Sequence, residues 1–235
     1  MEGFVTELPP PLPTRSPLSW SALRDLAFRP TTYFQTVTLN RGKYWLGAVW
    51  LLGVASTLGQ VEKNLMRADL GQPRAGWDAL GPIVLGSWGS FWAFLIGVGV
   101  VAAAMHWYIG GWWYNLRIRW AGAPAHDART GRLVFVFARL VVAVPSVAYA
   151  VIATALYEDY LAAWQAEELW STVLLLFPFW SVVVSYRGVR ASFPVKVGRA
   201  RVWFLLLPFA VYVFAYGVIG LAYTLLTDSA IGVAA

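Results

Sequence analysis

The chain has 235 residues, 59 % of them hydrophobic and only 13 % charged, with a formal charge of +6. A soluble domain carries about 25 % charged residues, so a water-covered globular surface is excluded. There is no cysteine, which removes disulfides, thiolate metal sites and cysteine nucleophiles, and His106 and His126 lie too far apart in sequence to found a metal cluster.

Residues 1–19 carry Glu2, Glu7 and prolines at 9, 10, 11, 13 and 17, with no continuous apolar core. That pattern is not a cleavable signal peptide and predicts a disordered, polyproline-leaning tail. Residues 20–40 form an amphipathic interfacial segment. Trp20, Leu23, Leu26 and Ala27 recur at helical spacing opposite Ser21, Arg24 and Asp25, with Ser19 as N-cap. Pro30 ends this helix and opens a second one, with Tyr33, Phe34 and Val37 on one face. Two placements fit equally: flat in the headgroup layer, apolar side down, or across the cytoplasmic ends of a helix bundle.

Residues 41–228 read as a five-helix transmembrane domain, with spans at about 44–60, 80–110, 132–156, 169–186 and 202–226. Each run approaches or exceeds the ~20 residues that cross ~30 Å of hydrocarbon. The second is too long, so it tilts or its Gly81-Pro82 start lies along the interface. The expected fold class is an all-α integral membrane protein. Alternate connections hold 14 basic residues on one side against 3 on the other, with Arg139 inside a span. Positive residues stay in the cytoplasm, so the N-terminus is expected inside and the C-terminus outside. A bacterial inner membrane is the expected location. The excess charge is explained by topology and anionic lipid headgroups, and no nucleic-acid partner is expected.

Packing marks lie within the runs. Gly89, Ala93 and Gly97 form a small-residue ridge at four-residue spacing, suited to close helix approach within one chain or between copies. Pro145, Pro178 and Pro208 predict bends in the last three spans. Tryptophans crowd the run ends, among them Trp45, Trp107, Trp120, Trp170 and Trp203, where amphipathic rings favour the membrane boundary.

Carboxylates occur in no span centre, whereas ion-coupled transport usually needs one there. Hydrolase, metalloprotease and nucleotide-binding motifs are missing, so neither an enzyme nor a bound cofactor or metal is expected. Arg139 sits seven positions beyond Arg132, roughly 10 Å into its helix. It either snorkels to the cytoplasmic surface or meets a lipid headgroup, a hydroxyl, a carbonyl or a partner chain. His106, beside Gly110-Gly111, is a second candidate contact, and Arg187 and Arg190 are candidates on the basic face.

Phe28-Arg29-Pro30-Thr31-Thr32-Tyr33-Phe34, Gly110-Gly111, Ala143-Val144-Pro145 and the stretch from Trp180 through Ser185-Tyr186-Arg187-Gly188-Val189-Arg190 to Pro208 resemble the Yip family of small polytopic membrane proteins, in its bacterial branch. The resemblance covers about residues 20–225. It implies five spans, a cytoplasmic N-terminal segment and a very short C-terminal tail outside. Eukaryotic members associate with prenylated Rab-type GTPases, but their Asp-Leu-Tyr-Gly-Pro motif is replaced here by Asp25-Leu26-Ala27-Phe28-Arg29-Pro30. No GTPase role is carried over. The expected function is a non-enzymatic organiser of lipids or partner membrane proteins, including further copies of itself. The alternative is a small permease, lipid transporter or scramblase with a proline-kinked pathway. A polar cavity reaching Arg139 would favour a carrier, and a dry interior a scaffold.

Overall fold

A computed structural model describes residues 16–39, 43–166, 173–218 and 220. The proline-rich tail up to residue 15, residues 169–172 of the fourth predicted span (Trp170 among them) and residues 221–226 of the last fall outside these. The described residues form α1 (Trp20–Phe28), α2 (Pro30–Thr36), α3 (Tyr44–Asp69), α4 (Trp77–Leu85), α5 (Trp88–Trp120), α6 (Ala128–Leu156), α7 (Tyr160–Gln165), α8 (Leu176–Ser192) and α9 (Val197–Val218). Four of them, α3, α5, α6 and α9, are long and apolar enough to cross a membrane.

Helix ends depart from the predicted runs for local reasons. The second run is broken: α4 stops at Gly86, and Ser87 caps a new helix by accepting a hydrogen bond from the Ser90 N–H at 3.2 Å. The Gly81-Pro82 start is thus a separate short helix. Beyond the break α5 runs 33 residues, about 50 Å at the usual rise, and carries Arg117 and Arg119 in its last turns. Helix α3 extends to Asp69 and takes Glu62 into a helical position that the run 44–60 left in a loop. Pro178 falls in the first turn of α8, where a missing N–H is tolerated. Pro208 lies just after a π-turn, Val202–Leu206, which contains Phe204, the residue whose carbonyl its ring would crowd.

Helix α3 packs on α5 and α6, and α8 on α6 and α2. At the α3–α5 crossing the backbones approach closely: a Cβ on Gly53 would stand 2.6 Å from the Ala103 nitrogen and also meet the Gly99 carbonyl. The predicted ridge of Gly89, Ala93 and Gly97 faces outward instead. All three residues are exposed, and nothing lies within 4 Å of a Cβ at Gly97.

The N-terminal segment folds as expected at its caps. The Ser19 hydroxyl accepts from the Ala22 N–H at 3.3 Å, and Arg29-Pro30 divides α1 from α2. Its placement is against the bundle: Tyr33 is fully buried beside Phe137, Phe34 lies against Gly188, and the Trp180 indole donates to the Ala27 carbonyl at 2.7 Å. The buried face of α1 is Ala22, Asp25 and Leu26, whereas Trp20 is 84 % exposed. Sequence spacing grouped Trp20 with Leu23, Leu26 and Ala27 on one apolar face, with the choice between lipid and bundle open. Trp20 belongs to an outward apolar surface shared with Phe28, 78 % exposed.

The two ends of the bundle differ chemically. At one end Trp88 donates to the Tyr157 carbonyl, Trp92 to Thr154 Oγ1, Tyr160 to Glu62 and Trp164 to Asp69, each at 2.9–3.0 Å. Phe91 stacks on Tyr160 at 4.2 Å. The other, basic end joins the α5–α6 and α8–α9 turns: the Lys196 N–H donates to the Ala121 carbonyl at 2.9 Å, and His126 packs on Phe193. Trp45–Trp107 and Trp120–Trp203 form ring pairs between helices here, at 4.7 and 4.6 Å. These tryptophans therefore hold helices together as well as favouring the boundary.

Asp127 caps α6 at this end. Its carboxylate accepts from the Thr130 hydroxyl and N–H and the Arg129 N–H, and the Thr130 bonds lead in holding it below the usual carboxylate range. A depressed folded-state pKa stabilises above the unfolded value of ~3.9 and is lost as pH falls through the folded one. Asp127→Ala is expected to cost about 0.5–1 kcal/mol, the low part of the capping range for a solvent-screened group. In denaturation series that cost should be level from neutral pH to mild acid and fade only below about pH 4.

Candidate functional site, a two-arginine cleft

Four helices converge near the basic end around a polar cleft of about 70 Å³. Its charged members are Arg117 from α5 and Arg139 from α6. Tyr114, Ser181, Ser185 and Tyr212 supply hydroxyls, and Phe135, Val182, Phe204 and Pro208 supply apolar wall. A single water needs about 10–15 Å³ of such space, so the cleft has room for a few waters or one small polar group. Among the described residues no carboxylate lines it.

Each arginine is held differently. Arg139 Nη1 donates to the Tyr212 hydroxyl at 2.7 Å. A hydroxyl was among the partners the sequence allowed for it. Arg117 is held by rings: its guanidinium carbon lies 4.4 Å from the Phe204 centroid and 5.5 Å from that of Tyr114. Its Nε is buried without a hydrogen-bond partner. Both guanidiniums line the same cleft, and aromatic faces offset only part of the cost of holding like charges there. The Tyr114 and Ser185 hydroxyls bond to each other at 2.9 Å.

Local sequence explains how the helices come this close. A Cβ on Gly110 would stand 2.9 Å from the Phe135 ring, and one on Gly111 would stand 2.6 Å from Arg132 Cγ. The glycine pair lets α6 lie directly against α5, so that Phe135 and Arg139 face Tyr114 and Arg117. A π-turn, His106–Gly110, precedes this contact, and the second π-turn contributes Phe204. Only the second interruption thus lines the cleft, a placement π-turns often take at functional sites; the first lies one contact away, through Gly110 and the Phe135 ring.

The other predicted contacts scatter. The Nδ1 of His106 lies 2.9 Å from the Ala102 carbonyl, and its ring stacks on Phe135 at 6.4 Å. It is a neighbour of the cleft and not part of its lining. Arg187 and Arg190 are exposed on α8, with Arg190 5.9 Å from the Tyr186 ring centroid. Arg117, Tyr114, Ser185 and Tyr212 do not stand out in the sequence as contacts. The available signal for Arg117 was its place seven residues after Gly110-Gly111 in an unbroken helical pattern, the same offset that singled out Arg139 after Arg132.

An all-helical chain with four such long apolar helices is an integral membrane protein of the multi-pass class. No family model, curated protein or solved structure matches it.

Proposed function

We propose that the chain is a five-span bacterial inner-membrane protein of the Yip type that catalyses no reaction and gathers anionic lipid at its cytoplasmic face. The observation carrying this reading is the exposure of Arg119, Arg129, Arg187, Arg190, Arg199 and Arg201 at one end of an otherwise apolar bundle. Each such cation is worth about 1 kcal/mol near an anionic surface. The span beyond those four helices is the one that contains α8. The resemblance supports the reading through two of its segments: Phe28–Phe34 makes the α1–α2 corner, and Gly110-Gly111 makes the α5–α6 contact. Self-association is a second reading, favoured by the exposed Gly89, Ala93 and Gly97 ridge. Transport is favoured less. A polar cleft does reach Arg139, but its lining comes from the basic half, and Leu58, Phe91 and Leu95 fill the opposite half.

The test is crosslinking in native membranes together with lipid analysis of nanodiscs. Anionic lipid should be enriched around the protein, and a like or unlike chain should crosslink to it. A monomer surrounded by lipid of bulk composition would overturn the reading. A cysteine-free chain also allows single-cysteine labelling without background. Cysteines at Ala125 and Gln72 should label from opposite sides, and one appended after Ala235 should follow Gln72. Labelling of that last site together with Ala125 would remove the fifth span.

A further inference from the structure

We infer that the cleft between α5, α6, α8 and α9 is a binding site for one phosphate group, that of an anionic phospholipid entering from the basic side. The inference rests on the lipid-gathering function proposed above and assigns it a specific seat.

Two guanidiniums facing one cleft, with no carboxylate among the described residues that line it, are like charges held in a low-dielectric place. An oxyanion removes the repulsion and supplies acceptors in the planar geometry that guanidinium donors match. The hydroxyls fit the same ligand. Tyr212 accepts from Arg139 and keeps its own proton free to donate, while the Tyr114 hydroxyl bonds the Ser185 hydroxyl at 2.9 Å and lies 3.4 Å from the Ser185 carbonyl. A lipid phosphate is favoured over a partner's carboxylate, which carries the same single charge, because the wall is apolar. Phe135, Val182, Phe204 and Pro208 suit the glycerol and upper acyl region of a lipid. Depth agrees: Arg139 lies roughly 10 Å from Arg132 along the helix, near where headgroup gives way to chain. The volume of about 70 Å³ suits a headgroup phosphate and leaves no room for a whole lipid, so the acyl chains would remain in the bilayer beside α9, whose Val211, Phe214 and Val218 are exposed.

The experiment is native mass spectrometry of the full chain released from nanodiscs of phosphatidylcholine containing phosphatidylglycerol. The wild type should retain one phosphatidylglycerol. Arg117→Gln and Arg139→Gln should each lower its occupancy about tenfold, the loss of one charge-assisted hydrogen-bonding group. Tyr212→Phe, which removes only a hydroxyl and leaves the packing intact, should lower it a few-fold and keeps the test decisive if an arginine variant misfolds. Calorimetric titration of inorganic phosphate into the protein in pure phosphatidylcholine discs separates the sources. Binding there with the same arginine dependence, and no retained lipid, would overturn the lipid assignment in favour of free phosphate. Equal retention by wild type and all three variants would overturn the site. Lipid enrichment around the protein should survive in the variants because Arg187 and Arg190 remain. Its loss already in the wild type would instead overturn the underlying function.

Discussion

Gly53→Leu should prevent α3 from docking on α5. The new side chain would begin 2.6 Å from the Ala103 nitrogen and 2.8 Å from its Cβ, and would also strike the Gly99 carbonyl. Two of these three contacts are backbone, which cannot rotate away, so the helices must separate. Without a water-driven hydrophobic force inside a bilayer, such close contact is a main source of helix association. The expected loss is on the order of 3–5 kcal/mol, at or beyond the upper end for overpacking. Thermal unfolding in mild detergent should show it as a large fall in midpoint or as failure to recover folded protein. Gly97→Leu is the control: with open space around it, monomer stability should change by less than about 0.5 kcal/mol. If Gly97→Leu also dissolves a crosslinked dimer, the outward ridge is the surface between copies. A Gly53→Leu protein as stable as wild type would mean that the α3–α5 crossing is wrongly placed.

Asn115→Ala should be the most damaging polar substitution. The Asn115 amide donates to the Gly111 carbonyl at 2.9 Å and to the Ala128 carbonyl at 3.0 Å, and its Oδ1 lies 2.7 Å from His126 Nε2. His126 Nδ1 in turn lies 2.8 Å from the Ala123 carbonyl. One side chain therefore ties α5 to the start of α6 and to the turn between them. Gly131 is the residue beneath it, and a Cβ there would strike Oδ1. Truncation leaves a carbonyl and an imidazole nitrogen without partners in a buried place, at a cost of about 2–3 kcal/mol. A double-mutant cycle with His126→Ala should return a coupling of about 1 kcal/mol. Strict additivity would show that the two side chains do not bond. Because this tie sets α6 against α5, Asn115→Ala should also weaken lipid retention at Arg139, which the Asp127→Ala cap variant should leave alone.

Fold class was legible because it depends on one-dimensional quantities. An apolar run of sufficient length must be a helix in lipid, since no other single segment satisfies its own backbone groups. Arg139 stood out for the same reason, a charge where the run allowed none. Arg117 did not stand out. It shares a cluster with Arg119, and only the continuation of α5 past Gly110-Gly111 takes it away from the loop and toward Arg139. Tyr114, Ser185 and Tyr212 were equally silent, because a hydroxyl in an apolar stretch looks the same whether it faces lipid, its own backbone or an arginine on another helix.

Glycine spacing shows where one-dimensional information stops. Gly89, Ala93 and Gly97 repeat as regularly as Gly99 and Ala103, yet the first set faces outward and the second meets Gly53. Spacing establishes that residues share a face and leaves open what that face meets. The same limit applies to α1, where periodicity found the helix and its Ser19 cap, but burial selected Ala22, Asp25 and Leu26 over Trp20.

Sequence alone therefore decided that this chain is helical, membrane-embedded and strongly basic in alternate connections, because length, hydropathy and charge act on each segment separately. Only the tertiary structure decided which helices touch, where Glu62 and Arg117 fall, and that two arginines share one cleft. Those outcomes depend on pairs of residues far apart in the chain, and a pair has no signature until packing brings it together.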